Sequence, residues 1–452
     1  MSRSPSNPKG TRDFLPSTLS KRNYIIDIIK NNFKLFGFLE IETPALEKNS
    51  TLLGKYGNEG DRLVFKILNS GDKVKKADVN SLKQNNLYAF ADSISEKGLR
   101  YDLTVPLARF VAQHQNELVF PFKRYQIQNV WRADRPQHGR FQEFTQCDAD
   151  VIGPKSIIQE IELIKLYDAV FSQLGFNDII FKINHRSVLT ALAYYIGAQN
   201  KLNEFISIID KIDKIGLENV LEEVKKLINN DSVSKLSTLL IENENSMQTL
   251  NDLFGDTSQA KKGIDELTSI LEFINDNKCL NNEIKFDITL ARGLNYYTGT
   301  IIEVVSKSNT AIGSLGGGGR YDNLTSLFNL KNTSGVGISF GLDRIYLEME
   351  EKKMFPDDLD NHFDIVVINF GLNYIKKLYP VIDSLRKNGK KISIYPEKTK
   401  LNKQFSYADK YKATYAILMG ENEFNNNEII IKNMKDGTQS SHSITELNSS
   451  LF

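Results

Sequence analysis

The apolar positions divide the chain into segments of different period. Ile25, Ile29, Phe33 and Phe36 recur at helical spacing before Gly37, so residues 17–36 predict an amphipathic helix. FLEIETP (38–44) alternates like a strand and is closed by Pro44, while the polar stretch 69–86, with Lys73, Lys75 and Lys76, predicts a solvated loop. LRYDLT (99–104) predicts a strand and VPLARFVAQ (105–113) a helix.

YQIQNVWR (125–132) and FQEFTQCDAD (141–150) predict two strands joined by the turn-rich ADRPQHG. Period-2 geometry puts Gln126, Gln128 and Arg132 on one face of the first, with Tyr125, Ile127 and Trp131 behind. On the second, Gln142, Phe144, Gln146, Asp148 and Asp150 share a face. A polar sheet face is either exposed to solvent or a substrate platform, and the density of acid, amide and arginine favours the platform.

Residues 186–282 change to helical periodicity with few glycines and no motif, a helical insertion. Strand patterning returns at 284–305, followed by Gly313 and the run Gly316–Gly319. GVGISFGLDRIYLEME (335–350) predicts a glycine-rich strand entering a helix, with Arg344 in its first turn. An arginine there opposes the helix dipole unless it and the helix N-terminus share an anion. From about 362, strands FDIVVINF, KISIYP, TYAILMG and EIIIKNM alternate with helices and end in a hairpin strand around 438–443, a small open α/β sheet.

With 452 residues and a prior of ~150 per domain, the chain has room for about three cores. Two cysteines, Cys147 and Cys279, exclude a disulfide framework and a cysteine-based zinc cluster. No window reaches the ~18 apolar residues of a membrane span, and MSRSPSNPKG lacks the apolar core of a signal peptide; a cytoplasmic protein with no membrane partner is expected. The net charge is only +1, yet 376–412 holds eleven Lys or Arg against three acids, which suits either a solvated face or a polyanion.

There is no Walker A loop, no dinucleotide glycine fingerprint and no nucleophile elbow, and the five histidines show no ligand spacing, so no metal site is identified. What remains is a set of arginines in glycine- or turn-rich segments: Arg132, Arg140, Arg292, Arg320 and Arg344. Guanidinium groups bind phosphate bidentately, so the set suits a nucleoside triphosphate. Asp102, Asp150, Tyr296 and Tyr297 suit a small cationic or hydrogen-bonding substrate. Together they point to ATP-driven activation of a carboxylate.

These residues lie in segments that resemble the class II aminoacyl-tRNA synthetases, and among them the histidyl-tRNA synthetase family. The resemblance runs through KGTRDFLP (9–16), LRYDLTVPLARF (99–110), residues 122–153, LARGLNYYTG (290–299), GGGRYDNL (317–324) and GVGISFGLDRI (335–345). It implies an α/β (α+β) fold: a class II antiparallel-sheet catalytic domain over 1–355, with the helical insertion at about 186–282, and a C-terminal α/β anticodon-binding domain over 360–452. It implies a histidine–tRNA ligase that uses ATP with Mg²⁺, forms histidyl-adenylate and transfers histidine to the 3′ end of tRNA(His). It further implies a homodimer built on the first helix and strand.

By the same resemblance, Arg132 and Arg292 are the catalytic pair. Arg132, Arg140 and Arg344 hold ATP. Asp102, Thr104, Arg132, Gln146, Asp150, Arg292, Tyr296 and Tyr297 hold histidine, with Asp150 and Tyr297 at its imidazole. Arg135 and Gln137 meet the acceptor end of the tRNA. Asn295 stands where the family usually shows Asp. Imidazole is distinguished by hydrogen bonds, so the insertion is expected to contact tRNA rather than to edit. Two rivals remain: a synthetase-like regulator that does not aminoacylate, and a class II synthetase for another amino acid.

Overall fold

A computed structural model describes residues 5–153, 155–241, 247–258, 260–291 and 296–446. By contact it divides into two compact units, one comprising residues 1–13 and 25–354 and the other 14–24 and 355–452.

The first unit is built on an eight-stranded sheet. In chain order its strands are β1 (Leu39–Glu40), β2 (Phe122–Trp131), β3 (Glu143–Gly153), β4 (Ile179–His185), β5 (Glu283–Phe286), β6 (Thr300–Ser306), β7 (Gly316–Arg320) and β8 (Ser334–Gly341). Their spatial order is β1-β2-β3-β8-β7-β6-β4-β5, antiparallel except for the outermost pairs β1·β2 and β4·β5. The expected strand pair is therefore the β2–β3 hairpin, Gln128 opposite Gln146 and Arg124 opposite Asp150.

Alternation then divides the sheet into two unlike faces. The back carries Tyr125, Cys147, Ala149, Ile338 and Phe340, all buried. Helix α1 (Pro16–Leu35) inserts Phe33 against Tyr125 and Phe340 at ring distances of 5.2 and 5.8 Å. Tyr167 of α2 (Ile158–Gln173) packs on Phe340 at 4.6 Å. Each such side chain contributes ~1.5–3 kcal/mol of burial. Because both helices lie on the apolar back, the opposite face keeps its polar residues for a cleft.

The insertion is helical, as its periodicity predicts. It leaves the sheet at the end of β4 and returns at β5, the parallel neighbour, through α3 (Arg186–Tyr195), a series of further helices among the described residues, and α4 (Lys261–Asn277). His185 caps α3 and reaches Glu266 of α4 at 3.1 Å, tying the first helix to the last.

Three expectations fail locally. FLEIETP gives only the two-residue strand β1, and LRYDLT contributes only Leu99 to a short strand, Lys97–Leu99. The stretch 69–86 is not simply a loop: it holds a 3₁₀ turn at Gly71–Lys76 and a helix at Val79–Lys83. The Asp78 side chain caps that helix on the amides of Asn80 and Ser81, a local signal that periodicity does not register. In the stretch 284–305 the returning strand pattern falls on β5 and β6.

The second unit is a five-stranded sheet. Its strands are β9 (Ile365–Val367), β10 (Ile392–Ile394), β11 (Tyr415–Leu418), β12 (Glu428–Asn433) and β13 (Gln439–Ser443), in the order β10-β9-β11-β12-β13. β10, β9 and β11 are parallel; β12 and β13 complete an antiparallel edge. Helix α5 (Leu372–Lys387) covers one face through Leu378, Ile382 and Leu385, and α6 (Leu401–Lys410) covers the other through Ala408. A short helix at Glu421–Asn426, not anticipated from the pattern, is capped by Glu423 on the amide of Gly420.

Candidate active site

The polar face of the large sheet is laid out in cross-strand rows. One row runs Arg124, Asp150, Gly337, Gly319 over β2, β3, β8 and β7; the next runs Gln126, Asp148, Ser339, Gly317; a third has Gln128, Gln146 and Gly341. Polar side chains thus stand on β2 and β3, while glycines keep the centre bare, so a ligand can lie on backbone. At Gly337 a Cβ would come 1.9 Å from Asp150 Oδ1, and at Gly319 it would meet the Tyr297 ring at 2.9 Å. Above this floor opens a cavity of about 1540 Å³.

Asp102, Thr104, Arg132, Gln137, Arg140, Gln146, Asp150, Tyr296, Tyr297 and Arg344 all line that cavity. Arg135 is exposed on the same turn and does not line it. Arg292 and Asn295 fall outside the described residues. Arg320 does not belong to the site. Its Nε and one terminal nitrogen each donate to Glu160 at 2.6 Å and the other bonds Ser334 Oγ, so its charge is consumed inside the protein.

At one end, Asp102 is 1% exposed and accepts from the hydroxyls of Tyr56 at 3.0 Å and Tyr296 at 3.2 Å and from the amide of Val105. Burial raises its pKa and holds both tyrosines well above the usual phenol range, so the hydroxyls stay protonated donors. Thr104 begins the helix Thr104–Gln113, whose N-terminus favours a negative group. Gln146 donates to Ser339 Oγ at 3.1 Å, while its buried Oε1 has no hydrogen-bond partner among the described residues. An orphan acceptor beside a buried carboxylate fits an ammonium group.

Deeper in, Asp150 takes the Tyr321 hydroxyl on Oδ1 and faces Arg124 across the row, Oδ2 to guanidinium 2.7 Å, with both side chains almost fully buried. Burial pushes the Asp150 carboxyl up, and Arg124 and Tyr321 pull it back. Asp148, two residues away on the same face, is pushed up to about 7 by burial and by the neighbouring Asp150, with Arg124 opposing. Neither Arg124 nor Tyr321 was expected from the sequence. Extending the Gln126–Gln128 alternation by one step would have placed Arg124 on the polar face.

At the other end, Arg132 stacks against Tyr101 at 4.4 Å and donates from Nε to its carbonyl, leaving the terminal nitrogens towards the cleft. Arg140 is tethered to Asp134 at 3.0 Å. Arg344, in the first turn of the helix Leu342–Glu351, bonds the Ser314 carbonyl at 2.8 Å and the Gly139 carbonyl at 3.4 Å. Phe144 offers a flat apolar wall beside Arg132, ring to guanidinium 5.1 Å. Positive charge, an aromatic wall and a helix N-terminus at this end suit phosphate groups and a flat base.

The N-terminal segment also serves this end, a role the motif KGTRD did not disclose. Gly10 accepts from the amide of Gln142, and Arg12 lies over the Phe141 ring while pairing with Asp343 at 2.8 Å. It therefore ties the β2–β3 turn to the helix that bears Arg344.

Among the described residues no cluster of three or more His, Cys, Asp or Glu forms a metal site, and no helix is long and apolar enough to cross a membrane.

A family model described as histidyl-tRNA synthetase matches residues 72–345, and one described as an anticodon binding domain matches 364–451. The chain is 50% identical over its full length to the histidine–tRNA ligase of Christiangramia forsetii, with all of that relative covered. It is 48% identical to the one of Flavobacterium johnsoniae, over 97% of both. A crystal structure of histidyl-tRNA synthetase from Nostoc sp. PCC 7120 superposes with a TM-score of 0.80 at 28% identity, over 97% of this chain and 96% of that one. Fold, cleft and kinship agree: the chain belongs to the histidyl-tRNA synthetase family.

Proposed function

We infer that this chain is a histidine–tRNA ligase that activates L-histidine with ATP and esterifies tRNA(His). The observation that carries this reading is the single cleft in which an ammonium-accepting end, a buried carboxylate deep enough for a ring, and an arginine-rich phosphate end lie on one glycine-paved floor. Domains follow as 1–355 catalytic, with the insertion at about 186–282 contacting tRNA, and 360–452 anticodon-binding. The working state is a cytoplasmic homodimer.

Asp102, Thr104 and Gln146 hold the substrate's ammonium and carboxylate; Asp150 and Tyr297 read the imidazole, with Tyr296 fixing Asp102. The carboxylate attacks the α-phosphorus of ATP in line, and pyrophosphate leaves. Arg132 and Arg292 meet the charge that develops there, Arg140 closes over the nucleotide and Arg344 holds the outer phosphates. Mg²⁺ enters with ATP as part of that substrate. The terminal ribose hydroxyl of tRNA, guided by Arg135 and Gln137, then attacks the mixed anhydride and AMP leaves. Positioning and fixed charge, rather than a protein nucleophile, lower the barrier.

The test is ATP–pyrophosphate exchange with each amino acid in turn. Exchange with histidine alone is expected; no exchange with any of them would favour the regulator, and exchange with a different one would favour the other rival.

Asp150→Ala removes the deep acceptor and leaves Arg124 unpaired. A buried donor left without its partner costs ~1–3 kcal/mol, so the histidine KM should rise roughly 10- to 100-fold with the ATP KM little changed. Equal increases in both constants would make Asp150 a scaffold residue.

The basic run suits a polyanion because Lys398, Lys400 and Lys403 are exposed on one stretch. Replacing the three with glutamine should leave pyrophosphate exchange intact and weaken tRNA binding. Each phosphate contact contributes ~0.7–0.9 to the log–log salt slope, so the slope should fall by about two. An unchanged slope would mean that these lysines face only water.

A further inference from the structure

Three of the carboxylates that line the cleft, Asp102, Asp148 and Asp150, are at most 2% exposed, and the proposed mechanism uses two of them. Asp102 is saturated by two tyrosine hydroxyls and an amide. Asp150 is held by Arg124 and Tyr321 and pressed over Gly337. Asp148 is different. It lines the cavity, is only 2% exposed and stands on the same strand face between Gln146 and Asp150. Its hydrogen-bonding neighbours are neutral, the Gln146 amide at 3.4 Å and the Ser339 hydroxyl. Arg124, the buried cation of this face, makes its ion pair with Asp150 instead.

A carboxylate can accept about four hydrogen bonds and is costly to bury without donors. Asp150 is gripped by a buried cation and a tyrosine hydroxyl, whereas Asp148 has only two neutral partners, which leaves it acceptor capacity on the floor where a ligand lies. We propose that Asp148 is a specificity-determining residue of the histidine pocket, accepting a ring N–H of the substrate's imidazole beside Asp150. This rests on histidine being the substrate. It assigns direct contact to a side chain that the mechanism leaves idle and gives Arg124 and Tyr321 the positioning role of holding Asp150 beside it.

The surroundings set the pH response. Asp148 faces Asp150 and Gln146 on its own strand, Gln126 and Arg124 on β2, Ser339 on β8, and the charge of Asp102 from the loop before Thr104. With its carboxyl pushed up to about 7, it is ionised above neutrality and becomes protonated as pH falls. Acceptor strength for an N–H is therefore lost on the acid side, and the histidine KM should rise there. Free histidine titrates near ~6.5 on its own account, so the Asp148 contribution is the part that a variant removes.

The experiment compares Asp148→Asn and Asp148→Ser with the unaltered full-length chain. It measures the KM for histidine in pyrophosphate exchange and the Ki of β-(2-thienyl)alanine, a ring analogue with no N–H, as a competitor. Both variants should raise the histidine KM about tenfold or more and leave the thienylalanine Ki within about twofold. The limb near pH 7 in the histidine kcat/KM should also vanish, leaving the substrate's own. Thermal stability at pH 8 should not fall in the Asn variant, because a neutral amide replaces a buried charge. A histidine KM within twofold of wild type overturns the proposal, as does a parallel rise of KM and Ki, which would mark a structural or ammonium-binding role. Failure of the unaltered chain to exchange with histidine would instead overturn the substrate assignment.

Discussion

Gly337→Ala is expected to lower histidine-dependent pyrophosphate exchange by roughly 100-fold or more. The added methyl would start 1.9 Å from Asp150 Oδ1 and 3.1 Å from the Ala149 carbonyl, far inside contact distance. Asp150 cannot yield, because Arg124 holds its other oxygen at 2.7 Å in a fully buried pair. Either the carboxylate is driven towards the space the ring should occupy, or β8 moves away from β3. A misplacement of ~1 Å at such a site is sufficient for a loss of ~10², whereas overpacking alone costs ~1–3 kcal/mol of stability. Steady-state exchange on a variant whose circular dichroism matches wild type separates the two. Activity within a few-fold of wild type would show that the bare floor is not needed.

Arg320→Ala should cost ~3–5 kcal/mol of folding stability and act on the fold before it acts on chemistry. Glu160 is completely buried and receives two guanidinium bonds of 2.6 Å; without them its carboxylate is stranded, and Ser334 and Asp322 lose the guanidinium they also face. The midpoint of urea unfolding, followed by loss of exchange activity, measures the effect. The double variant Glu160→Gln, Arg320→Met should recover much of the loss, because the penalty comes mainly from the orphaned charge. A single variant weakened by less than ~1 kcal/mol would mean that Glu160 finds another partner or takes up a proton.

The fate of Arg320 marks the limit of what sequence alone discloses. Arg132, Arg140, Arg344 and Arg320 all sit in turn- or glycine-rich segments and look equivalent on the page. Only the crossing of α2 brings Glu160 beneath β7 and turns one of the four into a structural ion pair. Most strands were legible because a sheet with an apolar back and a polar front writes a period of two into β2, β3 and β8. Helical turns that depend on a cap, such as Val79–Lys83, carry no periodicity and stayed hidden. The run Gly316–Gly319 gave no sign that it is a buried central strand, because glycine has no side chain with which to display a face. Tyr56 and Tyr321, which present hydroxyls to Asp102 and Asp150, lie 46 and 171 residues from them and were beyond any local pattern.

The parallel pair β4·β5 has an engineering consequence. The excursion between these strands starts and finishes on the sheet margin, and its first and last helices are joined through His185 and Glu266. Strand register is set by β4 and β5 themselves, while the Lys182–Asp213 ion pair joins the excursion back to β4. Closing a flexible excursion twice as long adds only ~0.6 kcal/mol. Helices between Tyr195 and Lys261 form a grafting port, where a module could be lengthened, trimmed or exchanged for a foreign RNA-gripping domain while the catalytic floor keeps its register.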